Sequence, residues 1–142
     1  PRSTLFPYTT LFRSFMGVYN KEDSQELESY FKNFSWAHIL LHPARFHAAG
    51  IVISEAAAFG LPTITNNVGG LATTVKHEQT GLVLPQGSSP SSYCQVIKGL
   101  MEDPKRYQVF RQNAKKRFDE ELDWQIAGKK LFDLVKEAAN IA

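Results

Sequence analysis

The chain has 142 residues, 43% of them hydrophobic and 12% aromatic, which is enough to bury one ordinary core and excludes a disordered polymer. Sixteen basic residues face fourteen acidic ones, and a formal net charge of +2 is too small to argue for nucleic acid as a partner. No apolar run approaches the roughly 20 residues of a membrane-spanning helix, and no secretory signal pattern is visible. The single Cys94 cannot form an internal disulfide, which suits a reducing, cytoplasmic setting, and its side chain is expected to act as a small buried hydrophobe.

At the start of the chain, residues 4–14 read TLFPYTTLFRS, and all eleven resemble the in-frame translation of a common sequencing-adapter oligonucleotide. Residues 1–14 are therefore set apart as a non-native segment. The natural domain is expected at 15–142, as part of a longer protein. Without Arg2 and Arg13, fourteen basic residues balance fourteen acidic ones, so the domain itself is neutral.

Phe15–Val18 reads as a short strand or its remnant. Asp23 followed by Glu26 resembles a capping box, and Leu27, Tyr30, Phe31 and Phe34 then recur at the spacing of an amphipathic helix. The apolar run AHILLHP, 37–43, predicts a strand buried on both faces. A loop and a helix over about 49–59 come next, the helix stopped by Gly60 and Pro62. PTITN (62–66) is a β-branched strand, NVGG a turn, GLATTVKH a short helix and GLVLP (81–85) another strand.

Three helices finish the chain. Ser89-Pro90 and Asp103-Pro104 each place a capping side chain before a proline at the first helical position. The expected inner faces are Tyr93, Val96, Ile97, Leu100 and Met101 in the first, Tyr107, Phe110, Phe118 and Leu122 in the second, and Ala127, Leu131, Leu134, Val135 and Ala138 in the third. Short strands alternating with helices predict an α/β fold, a Rossmann-like parallel sheet with helices on both faces.

Ligands of open parallel sheets bind beyond the carboxyl ends of the strands, which directs attention to the loops 43–50 and 66–70. The helix that follows the first loop opens with unpaired N–H groups and a dipole that favours an anion. Ala48, Ala49 and Gly50 have little or no side chain, so a phosphate has room to approach the backbone. Glu55 stands one turn further in among apolar neighbours; a ribose diol would supply it with two donors, and the plain alternative is a solvated helix face. Gly69 and Gly70 permit close backbone approach or an ordinary turn. His47 precedes the helix, where a lone histidine is most often structural, and His38 and His42 read as core or edge groups. No metal-ligand spacing such as HExxH occurs. Arg111, Lys115, Lys116 and Arg117 read as a solvated helix face, with contact to an acidic membrane surface as the second reading.

The stretch HPARFHAAGIVISEAAAFGLP (42–62) resembles the signature of retaining glycosyltransferases of the GT-B fold, the group 1 or family 4 type. There a proline-headed loop leads to an acidic residue, seven residues, then Glu followed by A-x-A-x-G-x-P. TNNVGGLATTV, GLVLP and the LDW at 122–124 are similar to later family motifs in the right order. The resemblance covers about residues 15–139 and identifies the chain with the carboxyl-terminal, donor-binding half of that fold, here truncated. It implies that Glu55 holds the ribose hydroxyls of a nucleotide-sugar donor. His47 occupies the position of the acidic residue that contacts the transferred sugar, helped by backbone N–H groups of Ala48, Ala49 and Gly50, and the helix start at Gly50 and Ile51 faces the diphosphate, with Gly69 and Gly70 nearby. His47 and Glu55 are thus the expected catalytic pair, with a nucleoside-diphosphate sugar as donor and no metal or other cofactor.

The resemblance further implies transfer of a hexose with retention, an amino-terminal Rossmann-like domain that binds the acceptor, and an Arg/Lys pair on the diphosphate from upstream. Neither the domain nor the pair falls in this sequence, so the isolated chain is expected to be inactive. Two departures stand out: His47 replaces an acidic residue, and Thr73 follows the Gly-Gly pair where many relatives are acidic. The alternatives are a non-catalytic nucleotide-sugar-binding or interaction module, which a histidine at 47 permits, and a GT-B sugar-nucleotide epimerase.

Overall fold

A computed structural model describes residues 16–140. The chain divides into two compact units, residues 1–33 and 34–142. Residues 1–14, Phe15 and the last two residues lie outside the described part, and residues 16–20 form no strand.

Helix α1 (Ser24–Trp36), which starts in the first unit and ends in the second, begins as its capping pattern requires. Asp23 Oδ1 accepts from the backbone N–H groups of Gln25 and Glu26 at 2.9 and 3.0 Å. Glu26 reaches back to the N–H of Asn20 at 2.6 Å, three residues earlier than a strict capping box would place it. Tyr19 packs on Tyr30 with ring centroids 5.6 Å apart, and its hydroxyl accepts from Asn33 Nδ2 at 3.0 Å.

The second unit is a parallel three-stranded sheet of β1 (Leu40–His42), β2 (Thr63–Asn66) and β3 (Gly81–Leu84), in the order β1-β2-β3. Leu40 pairs with Thr63, and Thr63 with Gly81. Successive strand residues point to opposite faces, and each face is covered. Ile64, Leu82 and Leu84 pack with Leu100, Phe110, Tyr93, Val96 and Ile97, from α4 (Pro90–Met101) and α5 (Pro104–Arg117). Leu40 and Val83 pack with Ile53, Val68, Leu71 and Val75, from α2 (Ile51–Ala58), α3 (Leu71–Thr74) and their flanks. The α/β architecture with helices on both faces is therefore as expected. Ser89 and Asp103 cap α4 and α5 by accepting from Ser92 and Arg106 N–H, and a proline follows each.

Several local expectations fail for identifiable reasons. β1 is a three-residue edge strand, with Leu41 47% exposed, because no strand among the described residues pairs with its outer edge. Cys94 is exposed, since it falls off the Tyr93–Val96–Ile97 stripe, and Met101 turns outward at the end of α4. α5 closes on Arg117, which is 8% exposed and points inward, while a π-helical turn (Phe118–Leu122) re-aims the chain. Lys115 and Lys116 are exposed as expected, paired along the helix with Asp119 and with Glu120 at 4.0 Å, while Arg111 is half-buried and its Nε donates to the Gly60 carbonyl at 3.3 Å. In α6 (Trp124–Asn140) the apolar stripe forms but is not covered; Leu131, Phe132, Leu134 and Val135 are all exposed. No helix among the described residues is long and apolar enough to cross a membrane.

Candidate functional site

The loop after β1 and the turn after β2 meet at the carboxyl edge of the sheet. Asn66, the last residue of β2, is buried and grips the first loop with both halves of its amide. Its Oδ1 accepts from Ala44 N–H at 2.8 Å, and its Nδ2 donates to the Ala44 carbonyl. The Gly70 N–H donates to the Ala48 carbonyl at 2.7 Å, and the Thr74 hydroxyl to the Ala49 carbonyl at 2.9 Å. Backbone carbonyls of 44, 48 and 49 thus have partners on the β2–α3 segment, which holds an otherwise irregular loop in one shape. A cleft of about 830 Å3 opens beside it, lined by Pro43, Arg45, Asn66, Gln86 and Tyr93 among others.

The glycines acquire a packing reason here. A Cβ on Gly69 or Gly70 would collide with the carbonyl oxygen of His47 or Ala48, so the pair lets one loop backbone lie against the other. Gly50 has φ 67° and precedes α2, and a Cβ there would meet Ile53 and Leu71 side chains at 2.8 Å. Its smallness serves the packing beneath α2, and Ala48 and Ala49 are the small residues that face outward. The helix begins at Ile51, two residues later than the apolar pattern predicts, because left-handed Gly50 interrupts it. Ile51 and Val52 N–H groups have no intrahelical partner and form the open amino end. Glu55 is half-buried on α2, on the face of Ile51 and Ala58 and one turn in from that end, so it lies on neither a dry core nor a polar stripe.

His47 is part of the frame of the loop. Its Nδ1 accepts from the Gly50 N–H at 3.1 Å, which requires an unprotonated Nδ1 and leaves Nε2 as the ring atom for any other contact. The His42 ring stands 5.1 Å away, edge-on at 73°. His42 Nε2 is buried, and among the described residues nothing hydrogen-bonds to it. His38 is exposed. No group of three or more His, Cys, Asp or Glu side chains able to hold a metal gathers among the described residues.

Burial, and secondly the neighbouring His47, hold His42 below its ordinary value of 6.5. The folded chain therefore binds fewer protons at this ring than the unfolded chain does. Stability from neutral His42 is complete above about pH 6.5 and is lost as pH falls from there towards the folded value. The melting temperature is expected to be lower at pH 5.5 than at pH 7.5, by a margin that shrinks in His42→Leu. An identical margin in that variant would show that His42 is not the group responsible.

Asn66, Thr74 and Arg117 are the residues that the sequence pattern leaves unassigned. Asn66 has a faint signal, an amide at a strand end ahead of a Gly pair; Arg117 stands at helical spacing from Phe110 and Ala114, which marks its face but not its partner; Thr74 has none, since its acceptor is a backbone carbonyl remote in sequence. A second concavity, of about 640 Å3, lies at the opposite end of α2 between Phe59, Gly60 and α5, where the lysines are already ion-paired.

Residues 16–117 match the family model described as glycosyl transferases group 1. The D-inositol 3-phosphate glycosyltransferase 1 of Catenulispora acidiphila is 38% identical over 78 residues, 55% of this chain and 18% of that protein. Among solved structures, WaaG, a glycosyltransferase involved in lipopolysaccharide biosynthesis, superposes with a TM-score of 0.61 at 28% identity, over 70% of this chain and 27% of that one. HepE of Anabaena, solved in complex with UDP, superposes with a TM-score of 0.67 at 20% identity, over 75% of this chain and 29% of that one, a likeness of fold. The chain thus spans less than a third of the length of each.

Proposed function

The chain belongs to the group 1 glycosyl transferases, and on that premise we propose that its carboxyl sheet edge binds the nucleotide-sugar donor of a retaining hexosyltransferase. One observation carries the reading: hydrogen bonds gather the 43–50 loop and the 66–70 turn beside the open amino end of α2, with Glu55 one turn behind it. The diphosphate would lie against Ala48 and Ala49 and take the N–H groups of Ile51 and Val52. There the helix dipole stabilises the charge that grows as the nucleotide leaves. The Glu55 carboxylate would accept from the two ribose hydroxyls, and Nε2 of His47 would donate to a hydroxyl of the transferred sugar. The small side chains keep the phosphates close to the backbone donors, where such bonds are strongest. Acceptor binding would fall to the amino-terminal domain that the family resemblance implies, and the assignment calls for no metal.

HepE holds UDP, so uridine nucleotides are the first probe. Isothermal titration of the chain with UDP, and with GDP and ADP for comparison, is expected to show binding that Glu55→Ala weakens by about tenfold or more, the cost of one lost bond to a charged acceptor. Nucleotide affinity unchanged in Glu55→Ala would overturn the ribose assignment. One observation favours a second reading, a site that binds donor without transferring sugar: Nδ1 of His47 is already committed to Gly50, and a neutral imidazole supplies no fixed negative charge.

A further inference from the structure

Arg117 sits where a basic helix face was expected to meet solvent, yet its side chain is turned into the protein and only 8% exposed. It stands among Ile53 and Ala57 of α2, Thr74 and Val75 at the end of α3, Ala114 of α5 and Leu122 of the π-helical turn. The remnant cavity there is about 10 Å3, about the space one water occupies, so little room is left for water beside the guanidinium. Its Nη2 donates to the Thr73 carbonyl at 2.7 Å, and Nε lies 3.4 Å from Glu121 Oε2. Nη1, and Nε apart from that ion pair, are buried with no hydrogen-bond partner among the described residues. A cation buried this far is costly, so the position requires bonds that offset its lost hydration.

The Thr73 carbonyl explains the requirement. α3 is a single turn, too short to hold itself, and the last carbonyls of a helix have no internal donor. At its amino end the same turn is tied to the candidate donor loop by Gly70 N–H to Ala48, and through its next residue by the Thr74 hydroxyl to Ala49. The loop that includes His47 thus hangs on α3, and α3 is fixed from behind by Arg117.

We propose that Arg117 is a positioning residue for the donor loop, acting through the Thr73 carbonyl and the α3 turn rather than by touching substrate. The inference rests on the donor-binding reading for its consequence, though not for the mechanical link itself. Lysine carries a compact ammonium where arginine offers a planar fork, so Arg117→Lys should keep part of the link and Arg117→Met none.

The test is amide hydrogen exchange by NMR on the full chain, at a temperature where near-ultraviolet circular dichroism shows each variant folded, together with UDP titration. In Arg117→Met the Gly50 and Gly70 amides are expected to exchange faster by about tenfold, the loss of one charged hydrogen bond, while Leu82 amide in the sheet stays protected. UDP affinity should fall in parallel, with Arg117→Lys between the two. Wild-type exchange at Gly50 and Gly70 in a folded Arg117→Met, or loosening spread evenly over the sheet, would overturn the proposal. If Glu55→Ala weakens UDP while Arg117→Met does not, the positioning role fails and the donor reading stands. If wild type binds no nucleotide but the two amides still accelerate, the link stands and the donor reading fails. Should Arg117→Met not fold, Thr74→Val cuts the same strut at the loop end, and unchanged Gly50 exchange there would equally overturn the proposal.

Discussion

Gly69→Ala is expected to destabilise the chain by about 2–5 kcal/mol and to displace the 43–50 loop, because two costs add at one position. Gly69 has φ 51°, a left-handed conformation that costs an ordinary L residue about 1–2 kcal/mol. The new methyl also meets the carbonyl oxygen of His47, a backbone atom that cannot swing aside, and overpacking of this kind costs about 1–3 kcal/mol. Gly87 separates the two costs. Its φ is 79°, but nothing lies within 4 Å of an added Cβ, so Gly87→Ala should show the backbone cost alone. Urea unfolding of both variants checks this. Equal losses would mean that the close approach of the turn to residue 47 is not what Gly69 provides.

Phe110→Ala is the largest loss expected in the core, about 3–5 kcal/mol. Phe110 is 1% exposed and packs with Ile64, Leu82, Leu84 and Leu100, so it joins α5 to two strands and to α4. Truncation removes the ring from the centre of that cluster, and the parallel strands behind it cannot collapse to fill the space. Against a typical domain stability of about 5–15 kcal/mol, this leaves the protein close to its folding threshold. Phe110→Leu keeps most of the volume and should cost far less. Denaturant midpoints measure both; a Phe110→Ala loss no greater than that of Phe110→Leu would place the core elsewhere.

Sequence periodicity and punctuation alone determine the alternation of strands and helices, the proline-headed starts of α4 and α5, and the two loops that follow β1 and β2. These features depend on neighbours within one or two turns, and local propensity and capping act at that range. The positions of His47 and Glu55 are equally legible, since the spacing between them is a property of the chain. Burial is less so. The run at 37–43 has the composition of a central strand and forms an edge one, because a run cannot report how many strands pair beside it. Arg117 has the composition of its neighbours Lys115 and Lys116, but it stands at helical spacing from Phe110 and Ala114, on the buried face of α5; the acceptor it finds there is set by the fold.

Tertiary structure alone decided what the small residues are for. In the sequence, Gly50 reads as space left for a phosphate, and Gly69 and Gly70 as close backbone approach or an ordinary turn. In the fold they are spent on backbone meeting backbone and on the packing under α2, and the outward space belongs to Ala48 and Ala49. Likewise His47 accepts from Gly50, Asn66 clamps Ala44, and Arg117 fixes the α3 turn that holds the loop. Apart from the short His47 contact, these bonds join residues 22 and 44 positions apart. No local pattern records such a distance; it exists only once the parallel sheet has brought the ends of its strands together.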